Sequence, residues 1–197
     1  MTNGFSFTVE IFMPTVLYTG SYTLPLYRRV SDALNNRLNR FIHLHQVSIA
    51  PLWRPQQAQR VPQALVAWGD ALLVAVVAEP DPPPDHRTTV IPRAMESVMF
   101  FTSEFAVRAE MYRRPNIGLD EMLNELTDDF IPLRNATIFP NHGGTPLQRS
   151  FVCLAQRTIQ ALYAIRQPSS SEPVEEIVAP SEHTAASEDT STAQSES

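Results

Sequence analysis

Two segments of the chain match each other over a long stretch without a gap. Residues 30–51 and residues 119–140 align at a constant offset of 89 residues. The identical pairs are Leu34/Leu123, Asn35/Asn124, Phe41/Phe130, Ile42/Ile131, Leu44/Leu133, Ile49/Ile138 and Pro51/Pro140. An internal repeat sets the architecture before any single motif does, because each copy must adopt the same local fold. The alignment predicts two diverged copies of one module, and two unrelated segments with similar strand patterns are the alternative.

Each copy has the same predicted order of elements: two strands, a short helical turn, a third strand, a variable loop and two closing strands. The strand segments are rich in Val, Ile, Phe, Thr and Tyr, which favour a pleated, half-buried surface. The predicted strands are 6–13, 17–26, 41–50, 65–68 and 71–77 in the first copy, and 98–102, 104–112, 130–139, 150–155 and 158–165 in the second. The last segment, with Ile159, Leu162 and Ile165 at a spacing of three, is also compatible with a helix. Ser31 and Asp120 are predicted N-caps of the two helical turns.

The predicted fold class is mainly β, with α+β as the alternative, and the predicted architecture is two tandem small β-barrel-like modules from an internal duplication. The predicted boundaries are 1–79 for the first module, 80–93 for a proline-rich linker, 94–167 for the second module and 168–197 for a disordered acidic tail. Three consecutive prolines within Ala78–Asp85 favour an extended linker. The tail contains no aromatic residue and cannot bury enough apolar surface to offset the entropy of ordering.

The charge is divided unevenly between these parts. Residues 168–197 contain seven acidic residues and no arginine, whereas residues 1–167 contain the other fourteen acidic residues and all fifteen arginines. The net charge of −6 therefore comes mainly from the tail and says little about what the body binds. No lysine occurs, a bias that is compositional or reflects the bidentate contacts that arginine makes with phosphates and carboxylates.

Composition also limits the class of protein. The longest apolar run, Ala71–Ala78, has eight residues, far fewer than the roughly 20 that a membrane-spanning helix needs. No basic residue precedes Arg28, so a secretory signal is not indicated. The single cysteine, Cys153, lies in an apolar run and is expected to be a buried structural thiol. A cytoplasmic protein without a membrane partner is the expectation.

Two resemblances rest on the first copy. The run Arg29-Val30-Ser31-Asp32-Ala33-Leu34-Asn35, followed by Phe41-Ile42-His43-Leu44, resembles an uncharacterised bacterial small β-domain family over about residues 15–77. The order of strands, with Asn35 and the segment Trp68-Gly69-Asp70, is loosely similar to the Sm-like barrels, a resemblance that implies RNA binding. Trp68 stands where that family has arginine, and the second copy has Ala155-Gln156-Arg157 there.

The candidate binding residues are two arginine pairs and two asparagines. Arg28-Arg29 and Arg113-Arg114 each follow a tyrosine, at an offset of 85 residues, and together could form a surface for phosphates or acids. Asn35 and Asn124 recur in both copies, and for them a turn or helix-end role competes with a binding role.

No motif indicates catalysis, a metal or a cofactor. His43 and His45 share one strand face, but the sequence supplies no third ligand. The sequence contains no phosphate-binding glycine loop and no nucleophile elbow. The leading hypothesis is a non-enzymatic adaptor or regulator that binds protein. A nucleic-acid or nucleotide binder that uses the arginine pairs is the second hypothesis, and an enzyme of unrecognised type is the third. Oligomeric state is left open.

Overall fold

The computed structural model describes residues 4–36, 40–83, 94–114 and 117–165. The strands are β1 Phe5–Phe12, β2 Val16–Leu24, β3 Phe41–Pro51, β4 Gln59–Ala67, β5 Leu73–Ala78, β6 Ala94–Phe101, β7 Phe105–Arg113, β8 Phe130–Pro140, β9 Leu147–Ala155 and β10 Ala161–Ala164. The helices are α1 Val30–Leu34 and α2 Leu119–Glu125, and 3₁₀ turns lie at Pro55–Gln57, Trp68–Asp70 and Gln156–Thr158. The predicted tail, and linker residues 84–93, lie outside the described residues.

The described strands form a single antiparallel sheet of ten strands in the order β10-β6-β7-β8-β9-β5-β1-β2-β3-β4. The fold is therefore mainly β with few helices, as the alternating patterns predict. We call residues 4–83 the first half and residues 94–165 the second half. Each half contributes five adjacent strands, and the two halves meet where β5 pairs with β9. The described residues of both halves belong to one compact unit.

Two hydrophobic cores lie on opposite faces of the sheet where the halves meet. Alternate residues of a strand point to opposite faces. We call the core that contains Val74 and Val76 of β5 the first core, and the core that contains Leu73 and Ala75 of β5 the second core. The same division occurs on β9, so both strands are buried on both faces. This double burial explains why Leu73–Val76 and Val152–Ala155 are continuous apolar runs rather than alternating ones.

Equivalent elements of the two halves have closely matching positions. Strands β1, β2 and β3 have the same lengths as β6, β7 and β8, and each pair is separated by 89 residues. Strands β4 and β9 also have equal lengths, separated by 88 residues. A residue in the left-handed region interrupts the third strand of each half, Gln46 at φ 51° and Asn135 at φ 49°. These two residues are also 89 positions apart.

Some local predictions need correction. Strand β4 begins at Gln59, inside the predicted variable loop, because Pro62 is tolerated on a strand at the edge of the sheet. The strand predicted at 158–165 is confirmed, but it is shorter, β10 at Ala161–Ala164, and the helical alternative is wrong. Ser31 and Asp120 lie inside their helices, whose N-caps are Arg29 and Gly118 without a capping side chain.

Candidate interaction surfaces at the sheet edges

The junction between the halves is a strand pairing supported by packing on both sides. Four residue pairs join β5 to β9: Leu73/Leu154, Val74/Cys153, Ala75/Val152 and Val76/Phe151. The backbone N–H of Ala155 donates a hydrogen bond of 3.0 Å to the carbonyl of Leu72, which extends the pairing by one step. The last strand of the first half thus binds the fourth strand of the second half.

Phe130, at the start of β8, crosses this junction. Its ring is 0% exposed and belongs to the core of the first half, although the residue is part of the second half. The Trp68 ring lies 5.5 Å from it, and the guanidinium carbon of Arg157 lies 5.9 Å from its ring centroid. Arg157 also donates a hydrogen bond of 2.7 Å to the carbonyl of Ala71. The second half therefore inserts an aromatic anchor into the first.

Asn35, at the end of α1, also joins the first half to Phe130, through two hydrogen bonds of its side-chain amide. Its amide nitrogen donates to the carbonyl of Phe130 at 3.0 Å, and its amide oxygen accepts from the N–H of Phe130 at 2.9 Å. The asparagine predicted as a candidate binding residue thus binds the protein's own backbone. Asn124, at the equivalent position 89 residues later, is exposed.

At the β4 edge of the sheet, side chains are exposed whose equivalents at the junction between the halves are buried. Phe41 is the residue equivalent to Phe130, and it is 52% exposed. Leu65 is the residue equivalent to the fully buried Cys153, and it is 70% exposed. Since β4 is the last strand of the sheet, we call Phe41, Leu65 and this strand the β4 edge surface.

At the opposite edge of the sheet, aromatic side chains are exposed at positions whose equivalents in the first half are buried. Phe101 is 37% exposed, whereas its equivalent in the first half, Phe12, is 1% exposed. Tyr163 is 52% exposed, whereas its equivalent Ala75 is fully buried. The rings of Phe101 and Tyr163 lie 6.0 Å apart beside the outermost strand. We call these two residues and β10 the β10 edge surface.

The arginine pairs occupy non-equivalent positions. Arg28 and Arg29 lie in the loop before α1, while Arg113 is the last residue of β7. The offset of 85 that relates the pairs in sequence therefore differs from the offset of 89 that relates the strands. Arg113 pairs with Glu96 at 3.8 Å, and Arg114 pairs with Glu125 at 3.1 Å.

These acidic partners reduce the positive charge that the second pair offers to an anion. In the first pair, Arg29 is exposed, and the Nε of Arg28 is buried without a hydrogen-bond partner.

The paired histidines do not form a metal site with other described residues. The rings of His43 and His45 lie 4.5 Å apart on the exposed face of β3, and the Nε2 of His43 lies 3.2 Å from the side-chain oxygen of Gln63. Within the described ranges, no group of three His, Cys, Asp or Glu side chains is arranged to hold a metal ion.

Cys153 lies fully buried in β9 and faces the first core. Burial raises the pKa of its thiol, and the charge of Asp32 raises it further. Because the thiolate is the reactive form, this residue is unsuited to nucleophilic chemistry. The geometry agrees with the expectation of a structural thiol.

An open polar depression of about 410 Å³ lies between β8 and β9, beside the bulge at Asn135. Its arginine, Arg149, is held by Glu10 of the first half through bonds of 2.8 and 3.0 Å. Asn135 donates to Glu110 at 2.7 Å. The charged groups here are engaged in internal pairs, so the depression lacks a converging set of available acids or bases.

Sequence reasoning missed the exposed aromatic and aliphatic residues at the two edges. Phe41 and Phe130 align at the offset of 89 residues, and the sequence identifies both only as strand residues. The available signal was the alignment at an offset of 89 residues, because two similar halves that join through unlike surfaces leave one copy of each surface unused. That signal requires knowledge of which strands join the halves, which the sequence does not provide.

Comparisons with protein-family models, with curated proteins and with solved structures find no match. In the described part of the chain, no helix is long and apolar enough to cross a membrane.

Proposed function

We propose that the protein is a non-enzymatic binding protein that acts through the two edge surfaces of its sheet. In this proposal, the chain consists of two diverged copies of one small β module. Each edge surface is the counterpart of one side of the contact that joins the two copies. The single observation that carries the proposal is the exposure of Phe41, Leu65, Phe101 and Tyr163 at positions whose equivalents are buried. At one edge the exposed rings of Phe101 and Tyr163 lie 6.0 Å apart, and adjoining exposed apolar groups commonly mark an interaction site.

The edge strands strengthen the proposal. An unpaired strand presents a row of backbone N–H and C=O groups, and natural edges are usually protected by charges or prolines. Strand β10 has the sequence Ala-Leu-Tyr-Ala, and residues 63–66 of β4 read Gln-Ala-Leu-Val, with neither protection. Arg60 and Pro62 precede this stretch of β4. Both edges are therefore competent for strand addition, a common mode of protein recognition.

Photo-crosslinking in the source organism tests this proposal. A benzophenone amino acid replaces Leu65 in the full chain, and a matched variant carries it at Thr23, which is exposed on the inner strand β2. We expect a discrete crosslinked product from position 65 and none from position 23. The absence of a product at position 65, or equal products at both positions, contradicts a binding role for this edge.

Nucleic-acid binding by the arginine pairs is supported less well, because Arg113 and Arg114 already have acidic partners. Fluorescence anisotropy of a labelled single-stranded RNA at low and moderate salt tests it directly. Salt-sensitive binding that is lost on substitution of Arg28 and Arg29 would favour this function over the adaptor role.

A further inference from the structure

The contact that joins the two halves has a direction. It joins the fifth strand of one half, β5, to the fourth strand of the other half, β9. Two different surfaces meet, so the contact is head-to-tail rather than symmetric. A contact of this kind leaves one surface of each type unused at the two ends of the assembly. Here the unused fourth strand is β4 and the unused fifth strand is β10.

We propose that a second copy of this chain binds head-to-tail, with β10 of one chain pairing antiparallel to β4 of the next. This inference rests on the proposed binding role of the edge surfaces and names their partner. The junction within the chain fixes the expected register by equivalence. The expected pairs across chains are Ala161/Val66, Leu162/Leu65, Tyr163/Ala64 and Ala164/Gln63, which correspond to the four pairs of β5 and β9.

Helix α2 supplies an independent argument. In the first half, Val30 and Leu34 of α1 are almost fully buried, in the core that Phe130 enters. Their equivalents in α2, Leu119 and Leu123, are only partly buried at the margin of the second core. This difference agrees with the contacts at the two helices, since Asn35 at the end of α1 binds Phe130 of the other half, whereas Asn124 of α2 is exposed. Phe41 of a second copy would cover α2 as Phe130 covers α1.

The hydrogen bonds of Asn35 to Phe130 have an equivalent position in the second half, Asn124, whose side chain is exposed. Asn35 binds the backbone N–H and C=O of Phe130 through its side-chain amide. Asn124, at the same position of α2, is exposed. In the proposed contact its amide binds the backbone of Phe41 in the next chain. This role accounts for the presence of asparagine at both positions of the repeat.

The contact between chains is expected to be weaker than the junction within the chain. In the first half, the Trp68 ring packs against Phe130 at a tilt of 37°. The equivalent residue in the second half is Gln156, whose amide donates to the carbonyl of Leu123. Phe41 of a second copy therefore meets an amide in place of an indole ring. Because the contact is head-to-tail, it builds a closed ring or an open chain, and the size at saturation distinguishes these two forms.

Disulfide trapping of the full chain tests the contact and its register. Cysteines at Gln63 and at Ala164 are placed in two separate variants, which are mixed under mild oxidation. The proposed pairing brings their Cα atoms to about 4.5–5.5 Å, within the range of a disulfide. We expect a crosslinked dimer from the mixture of Q63C and A164C and from neither variant alone.

The matched control pairs Q63C with A161C. Residue 161 lies three positions from the expected partner, about 10 Å along the strand, too far for a disulfide. Equal crosslinking of the control overturns the register. A crosslink of Q63C with itself indicates symmetric β4–β4 pairing and overturns the head-to-tail contact. Native Cys153 is fully buried and is not expected to react.

Sedimentation of the unmodified protein completes the test. We expect species larger than a monomer that dissociate on dilution, and a monomer for the Leu65→Arg variant. A monomer at every concentration, together with no crosslink in the mixture, overturns self-association. In that event, a photo-crosslink from position 65 to a different protein leaves the proposed binding function intact, whereas the absence of any product contradicts both proposals.

Discussion

Phe41 and Phe130 are the same residue at the same position of the two halves, yet their surroundings differ completely. Each begins the third strand of its half, and each pairs with an alanine on the fourth strand, Ala67 or Ala155. Phe130 is buried by the neighbouring half, whereas Phe41 faces solvent at the edge. The comparison shows that the residue is suited to a contact between halves rather than to the core of its own half.

The largest expected effect separates these two phenylalanines. Phe130→Ala removes a fully buried ring and should lower the free energy of unfolding by about 3–5 kcal/mol. Phe41→Ala removes an exposed ring and should change it by less than about 0.5 kcal/mol. Urea denaturation at a protein concentration low enough for a monomer measures both. A comparable loss for Phe41→Ala would mean that its ring is buried within a single chain.

The second prediction compares the two asparagines. Asn35→Ala leaves the buried N–H and C=O of Phe130 without their partner, which should cost about 1–3 kcal/mol. Asn124→Ala should leave the stability of the dilute monomer within about 0.5 kcal/mol of the original. The same Asn124 variant should weaken self-association. If Asn124→Ala has no effect on the sedimentation of concentrated protein, the proposed contact of its amide is wrong.

The third prediction concerns pH and distinguishes the two cores. Cys153 and Tyr22 both face the first core, and burial raises the pKa of each, most strongly for Cys153. Their equivalents at positions 65 and 111 are leucine and methionine, which do not titrate. Ionisation at alkaline pH is therefore expected to destabilise the packing of the first core and not that of the second core.

The sign follows from proton linkage. Above the ordinary thiol pKa of 9.0, the unfolded chain has lost the proton of Cys153 while the folded chain retains it. The contribution of the Cys153 thiol to stability is therefore fully present below that pH. As the pH rises further, the free energy of unfolding falls by up to about 1.4 kcal/mol per pH unit. Urea denaturation at pH 8, 9 and 10 measures the slope. The Cys153→Ala variant should lose most of the decline between pH 9 and 10, and an unchanged slope would place its cause elsewhere.

The comparison of the halves also explains what the sequence could predict. Alternating apolar residues predict the strands, and the alignment at an offset of 89 identifies equivalent residues such as Asn35 and Asn124. Both are local properties of the chain. The pairing of β5 with β9 is not local, because it joins residues about 80 positions apart. No local pattern distinguishes Phe41 from Phe130, since the difference between them lies in which neighbour each meets.

The arginine pairs are similar in sequence but do not occupy equivalent positions in the two halves. Their similarity in sequence, Tyr-Arg-Arg in both halves, relates a loop before α1 to the end of β7. Short matches of charged residues recur easily, whereas buried strand residues are constrained by the alternation of two faces. The equivalence that holds in the structure is therefore the one carried by apolar residues.

The smallest expected effect concerns the two residues in the left-handed region, Gln46 and Asn135. A non-glycine residue there costs roughly 1 kcal/mol relative to glycine, and asparagine is the better tolerated of the two. Asn135 also donates a hydrogen bond to Glu110. Gln46→Gly should therefore raise the free energy of unfolding by up to about 1 kcal/mol, whereas Asn135→Gly should gain less or nothing, because it loses that bond.

Thermal denaturation of both variants beside the original chain measures this difference. The interruption of the third strand is the most local feature that the halves share, since it depends on the backbone of one residue rather than on a neighbouring half. Equal gains at positions 46 and 135 would show that the Glu110 contact contributes nothing. A loss at position 46 would show that the Gln46 side chain makes a stabilising contact that outweighs its backbone strain.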